Sequence, residues 1–271
     1  MPGQPIITFL SDYGVRDDFV GICHGVMANL CPAGRVIDIT HGIARQDVRG
    51  GAIVLAGALP YMPAGVHLAV VDPEVGAQRR AVALRLSDER TLVGPDNGLL
   101  WPAAEAAGGV IEAVDIARSP FRLEPVSATF HGRDLFAPVA ARLASGANLA
   151  EAGDPVDPGA LVRLELPSAR LEEGWLVTHV LYVDGFGNVQ LDARHEDLHA
   201  AGVRLGRAVE VRTASGRSYT CPFVRTFADV EPGQLLVYED AYRRLAIAVS
   251  RDDAARLIAA RVDDVLRLRR A

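Results

Sequence analysis

The sequence predicts an α/β N-terminal domain on a mostly parallel or mixed sheet, joined to a smaller β-rich C-terminal domain, either a barrel or a sandwich. Three observations predict it. Up to residue 145, short β-prone runs alternate with stretches of helical periodicity. Around residues 151–167, Pro155, Pro158, Gly159 and Pro167 cluster with acidic residues. Beyond that point, short strand-like runs follow one another with turn residues between them. At 271 residues the chain is also long for a single core. The expected boundaries are 1–155 for the first domain, 156–174 for a linker and 175–271 for the second domain.

The elements follow in order. Residues 6–10 read as a buried strand that ends in the turn Ser11-Asp12-Tyr13-Gly14. Residues 17–31 place Val20, Cys23, Val26, Met27 and Leu30 near helical spacing, and Pro32 and Gly34 stop that helix. Residues 35–40 form a second strand. Residues 48–59 form a helix closed by Pro60. Residues 66–71 and 81–86 are further strands. Residues 91–93 continue the sheet at its edge, before the turn Pro95-Asp96-Asn97-Gly98. Residues 134–145 are helical. In the second half, strands are expected at 174–183, 188–191, 208–212, 235–238 and 245–249. The arginine-rich tail, 252–270, reads as a solvated surface helix.

Composition narrows the function. Hydrophobic residues make up 49% and charged residues 23%, a globular balance that argues against disorder of the whole chain. A net charge of −6 argues against nucleic-acid binding, which needs a basic face. Cys23, Cys31 and Cys221 form no CxxC and are expected to be reduced and buried. No signal peptide and no apolar run of spanning length are read, so no membrane association and a cytoplasmic location are expected. The sequence lacks GxGxxG, P-loop, HExxH and GxSxG motifs. Dinucleotide, NTP, zincin and serine-hydrolase readings therefore drop back.

Several polar residues lie where an α/β sheet binds ligands, at the carboxyl ends of strands. Asp12 follows the first strand and Asp72 the third. Each also suits a turn or helix cap. From Asp72 the chain turns through Pro73 and Gly76 and returns with Arg79 and Arg80, so an arginine can fold back on the carboxylate, structurally or catalytically. Thr129-Phe130-His131-Gly132-Arg133-Asp134 sets a histidine on a turn before a helix. Asp184-Gly185-Phe186-Gly187-Asn188 combines a carboxylate, a ring and an amide, and equally reads as a hairpin turn.

Taken together, these segments resemble the S-adenosylmethionine hydroxide adenosyltransferase family, relatives of the fluorinase and chlorinase. The matching stretches are Phe9-Leu10-Ser11-Asp12-Tyr13-Gly14, Asp38-Ile39-Thr40-His41, Val70-Val71-Asp72-Pro73, Val75-Gly76 with Arg79-Arg80, and Gly94-Pro95-Asp96-Asn97-Gly98. Thr129-Phe130-His131-Gly132-Arg133-Asp134 and Asp184-Gly185-Phe186-Gly187-Asn188-Val189 complete the set, in family order. The resemblance implies an α/β domain followed by a β-barrel domain, assembled as a homotrimer with the site at the subunit interface. It implies hydrolysis of S-adenosyl-L-methionine, or alternatively of its R-sulfonium epimer, to adenosine and L-methionine by in-line attack of water at the ribose C5′. It implies no cofactor and no metal. The catalytic set falls on Asp72, Arg79 and His131. Substrate binding falls on Asp12, Phe130, Asp184, Phe186, Asn188 and Phe227.

The halide-using relatives carry Tyr at the Asp72 position and lack His131. A halogenase, a non-catalytic binder of adenosine or S-adenosylmethionine, and a metallohydrolase built on Asp72, Glu74 and His131 are the competing readings. Two stretches depart from the family pattern. Glu74 stands where a glycine is usual. In the segment 240–254, Ala241 and Ala246 cannot make the hydrogen bonds of the family's Ser and Glu, so altered adenine or amino-acid contacts are expected there.

Overall fold

The computed structural model describes residues 3–271. They form two compact units that divide between Leu164 and Glu165. In the first, β1 (Ile6–Ser11), α1 (Phe19–Leu30), β2 (Arg35–Thr40), α2 (Val48–Ala58), β3 (Val66–Val70), β4 (Ala81–Leu86) and β5 (Thr91–Pro95) come in succession. α3 (Trp101–Ala106), β6 (Val110–Asp115), α4 (Ala137–Ala144), α5 (Leu149–Ala152) and β7 (Asp154–Val156) complete it.

The strands form a seven-stranded sheet in the order β2-β1-β3-β5-β4-β6-β7. The first four pair in parallel and the rest antiparallel, so the sheet is mixed, as the alternation of elements implied. Side chains on neighbouring strand positions enter opposite cores. β1 sends Ile7 and Phe9 into a core shared with α1 and α4, and Leu10 into one shared with α2 and α3. Helices therefore cover both faces. Phe9 and Phe136 are fully buried, each worth about 1.5–3 kcal/mol of transfer free energy.

Two local expectations for this unit are corrected. Residues 91–93 are not at a sheet edge: β5 is longer and lies between β3 and β4. The 134–145 helix starts as a π-helical turn, Gly132–Phe136, before α4 takes over. Such turns carry one extra residue and often lie at functional sites.

The second unit contains β8 (Arg170–Glu172), β9 (Trp175–Val183), β10 (Val189–Leu191), α6 (His195–Ala200), β11 (Ala208–Arg212) and β12 (Ser218–Pro222). β13 (Leu235–Glu239), β14 (Leu245–Val249), α7 (Ala254–Ile258) and β15 (Val265–Arg270) follow. They form an eight-stranded sheet in the order β12-β11-β15-β9-β10-β14-β13, with β8 also on β9. A parallel bridge from Phe223 to Val237 joins the chain beyond β12 to β13 and nearly closes the sheet into a barrel. Leu176, Val180, Val209, Val237, Ile247, Leu266 and Leu268 fill its core.

The tail overturns another expectation. Only the short α7 is helical, and β15 is an interior strand between β11 and β9. Leu266 and Leu268 point inward while Arg267 and Arg269 point out, a period of two. Of the connecting residues, Leu161 is buried in the first unit's core and Arg170–Glu172 pairs with β9. No helix among the described residues is long and apolar enough to cross a membrane.

Candidate active site

Parallel pairing of β1 with β3 sets the site. Ser11 is in register with Val70, so Asp12 and Asp72 leave the same carboxyl edge of the sheet on adjacent strands. The side-chain amide of Asn97 donates to the carbonyl of Val71 at 2.9 Å and fixes the exit of β3. The chain then turns through Gly76, at φ +80°. A Cβ there would stand 2.5 Å from the carbonyl oxygen of Ala128. Glycine is therefore needed both for the left-handed backbone and for the close approach, which brings the 72–79 turn against the segment carrying Phe130 and His131. At Gly132 a Cβ would meet the Tyr13 hydroxyl at 2.1 Å. Its absence lets the β1 turn and the π-helical turn touch.

These approaches gather three side chains. Arg79 donates from Nε to both carboxylate oxygens of Asp72, at 2.9 and 3.1 Å, and its NH2 forms an ion pair with Oδ2. The same NH2 lies 2.9 Å from Nδ1 of His131. Arginine only donates, so Nδ1 accepts and the neutral ring carries its proton on Nε2. The Arg79 and Asp72 side chains are 4% and 5% exposed, and the guanidinium lies over Phe136, 5.3 Å from the ring centroid. Burial, then the neighbouring Arg79, lowers the His131 pKa below its ordinary value, against the opposing pull of Asp72 and Asp134. His131 is therefore neutral at pH 7.

Arg80 goes elsewhere. Its Nε donates to Asp96 at 2.8 Å, and Asp96 also accepts the Val162 N–H at 2.8 Å. This is a structural tie, and it separates two arginines that are adjacent in the chain. Glu74 is exposed. The guanidinium fills the space between Asp72 and His131 that a shared cation would need, so these residues do not fit the metallohydrolase reading.

Asp72 and His131 face a cleft of about 140 Å³, together with Asp12, Tyr13, Phe19, Val75, Thr129, Phe130 and Gly132. Arg79 joins the two from within the protein. Asp12 accepts the Gln46 N–H at one oxygen, at 2.9 Å, and lines the cleft. Phe130 meets Phe19 edge to face at 5.2 Å and Tyr13 at 6.0 Å, making an apolar wall. Sequence reasoning missed Tyr13 and Phe19 as site residues. The signal was present for Tyr13, which is next to Asp12 in the same turn. Burial, with Cys23, Asp12 and Asp72 nearby, raises the Tyr13 pKa, so its hydroxyl remains protonated. Asp134 and Arg133 form a pair at 2.6 Å that supports the turn.

The remaining candidates belong to the second unit. Asp184 Oδ1 accepts the N–H groups of Phe186 and Asn188, both at 2.9 Å, and Oδ2 accepts the Asn188 side-chain amide at 2.8 Å. Asp184 and Asn188 thus build the turn between β9 and β10. They hold Phe186 at its tip, 83% exposed. Phe227 is partly exposed and packs on Tyr238 at 4.9 Å. Burial pushes the Tyr238 hydroxyl up to about 12, helped by Asp184 and Asp240. Ala246 is a buried strand residue in register with Gln190 and Tyr238. Asp240 accepts the N–H groups of Tyr242 and Arg244, so it shapes its own turn.

Comparison with known proteins identifies the family. The "SAM hydroxide adenosyltransferase N-terminal domain" family model matches residues 7–153, and the corresponding C-terminal domain model matches 178–267. The chain is 52% identical over 270 residues, 99% of each chain, to an "(R)-S-adenosyl-L-methionine hydrolase" of Salinispora tropica. A "Fluorinase" of an Actinoplanes species is 30% identical over 91% of each chain. A solved structure described as an uncharacterized conserved protein from Thermotoga maritima has a TM-score of 0.91 and 33% identity, covering 97% of this chain and 100% of that one. With both domain models matched in order and a relative that similar along its whole length, the chain belongs to the SAM hydroxide adenosyltransferase family.

Proposed function

We propose that the protein hydrolyses (R)-S-adenosyl-L-methionine to adenosine and L-methionine, with Asp72, Arg79 and His131 activating the water. The observation that supports this most is the Asp72–Arg79–His131 chain of hydrogen bonds opening on the cleft beside Asp12.

The substrate's sulfonium makes methionine a good leaving group from C5′. The protein must hold a water opposite the departing sulfur and take its proton. Placement alone is worth about 7 kcal/mol or more when well aligned. Asp72 is the acceptor, because His131 Nδ1 already takes a hydrogen bond from Arg79 and Nε2 carries a proton. As the water oxygen bonds to C5′, the C–S bond breaks and its electron pair stays on sulfur. The water proton passes to Asp72 and then to solvent. Arg79 holds the Asp72 carboxylate in orientation through its donors. His131 donates from Nε2 to the attacking oxygen and fixes its position. Asp12 binds a ribose hydroxyl. Phe130, Phe19 and Tyr13 exclude other water.

A cleft of about 140 Å³ is smaller than the ~300 Å³ or more usual for a ligand of this size. The reading therefore includes completion of the site in a cytoplasmic homotrimer, with Asp184, Phe186, Asn188 and Phe227 contacting adenine and methionine across a subunit interface. A halide in the cleft would face the Asp72 carboxylate, which disfavours halogenation.

Incubation of each pure sulfonium epimer in oxygen-18 water tests the reaction. Adenosine labelled at the 5′ oxygen, formed faster from the R epimer, is the expected result. Failure to form adenosine from either epimer refutes the proposal. Light scattering in solution tests the trimer.

A further inference from the structure

A second cluster lies beside the reactive cleft and forms none of its wall. His24 on α1 and His41 after β2 both direct Nε2 at one carboxylate oxygen, Oδ1 of Asp38, at 2.8 and 3.1 Å. The three ligand atoms lie within 4.8 Å of one another. We propose that His24, Asp38 and His41 form a binding site for a divalent transition metal of the zinc type.

The local fold is arranged for convergence. Residues three apart on a regular strand face opposite sides. Against β1, however, Asp38 pairs with Phe9 and Thr40 with Leu10, so Ile39 is an extra residue. This bulge changes the parity and brings Asp38 and His41 to one side. The side chain of His41 is 4% exposed. Its Nε2 is fully buried and makes no hydrogen bond, because the contact with Asp38 lacks the alignment for one. An unpartnered buried nitrogen is costly, and a metal ion in the gap would satisfy it.

The other ring nitrogen already has the partner that a metal-bound histidine uses. Nδ1 lies 2.8 Å from Ser11 Oγ. With the proton on Nδ1 donated to that hydroxyl, the Nε2 lone pair is free for the metal and the ring is held in orientation. Ligand atoms around a tetrahedral zinc at 2.0–2.1 Å stand about 3.3 Å apart, close to the two spacings observed here. Two imidazoles and one carboxylate suit zinc or cobalt, whereas magnesium and calcium prefer oxygen donors. Three protein ligands leave one position to water. The carbonyl of His41 accepts the Gly14 N–H at 2.8 Å, so an ion here would stiffen the turn that carries Asp12.

Cobalt(II) titration of the metal-stripped, tag-free full chain tests this. The expected result is the visible absorption of a tetrahedral site, saturating at one equivalent per chain and abolished by zinc but not by magnesium. His24 and Asp38 are partly exposed, so His24→Ala and Asp38→Asn should fold, as checked by circular dichroism. Both should lose the spectrum. Ser11→Ala, which removes the orienting partner together with an acceptor for the Tyr13 N–H, should weaken binding about tenfold. No tetrahedral spectrum in the parent chain, or one that persists in both His24→Ala and Asp38→Asn, would overturn the site.

Discussion

The two groups of candidate residues use the same chemical types in opposite ways. In the first unit, Arg79 directs its donors to Asp72 at the start of its own turn and to His131, far along the chain, and leaves both facing a cleft. In the second unit, Asp184 and Asn188 direct their hydrogen bonds at each other and at the turn that contains them. The turn's most exposed group is the apolar ring of Phe186. The carboxylate in the first unit opens on a cleft, where the proposed reaction gives it a proton to accept. A carboxylate in the second is set up to hold a backbone shape and present a ring. Residue type alone does not separate these roles; the partner does.

Substitutions can break that comparison at graded points. Asp72→Asn should have the largest effect, lowering kcat about 10³-fold through loss of the proton acceptor while substrate affinity by calorimetry changes little. An equal loss of affinity would mean that Asp72 binds rather than activates. His131→Ala should lower kcat about 10²-fold. It should also remove a limb of the pH profile. The folded-state pKa of His131 lies below 6.5, so the neutral ring that accepts from Arg79 persists down to that pH. kcat/KM should then be flat above about pH 6.5 and fall in more acid solution as the ring protonates. The associated stability has the same sign: it is present above the unfolded value and lost as pH falls through the folded one. A profile unchanged in His131→Ala would assign the limb to another group.

In the second unit the expected effects are smaller and of a different kind. Phe186→Ala should raise KM about tenfold with kcat retained, the size of one lost base–aromatic stacking contact. Asp184→Ala should cost about 1 kcal/mol of stability in thermal unfolding, through loss of the turn's hydrogen bonds. If it instead raised KM at unchanged stability, Asp184 would act only as a ligand contact and not through the turn it builds, and the contrast between the units would fail.

Much of the fold was legible because local periodicity encodes it. β2, β4, β11 and β14 have the bounds expected from their β-branched or alternating runs. β5 was misplaced at an edge because its five residues carry no mark of which strands flank them. β15 was misread because its arginines resemble a solvated helix. Its alternation of Leu266 and Leu268 with Arg267 and Arg269 was nevertheless in the sequence. The distinction between Arg79 and Arg80 came from family resemblance, not from the residues themselves. In the structure their partners, His131 and Asp72 against Asp96, make the difference plain.

By itself the sequence determined the alternation of elements, the shift to β structure in the second half, and the family motifs. These are short-range patterns, written in neighbouring side chains. Tertiary structure alone decided which nitrogen of His131 is free, which arginine meets Asp72, and that a bulge turns Asp38 and His41 to one side. Those outcomes depend on chain segments tens of residues apart coming within hydrogen-bonding distance. Close approach at Gly76 and Gly132 permits that contact, and no local pattern specifies it.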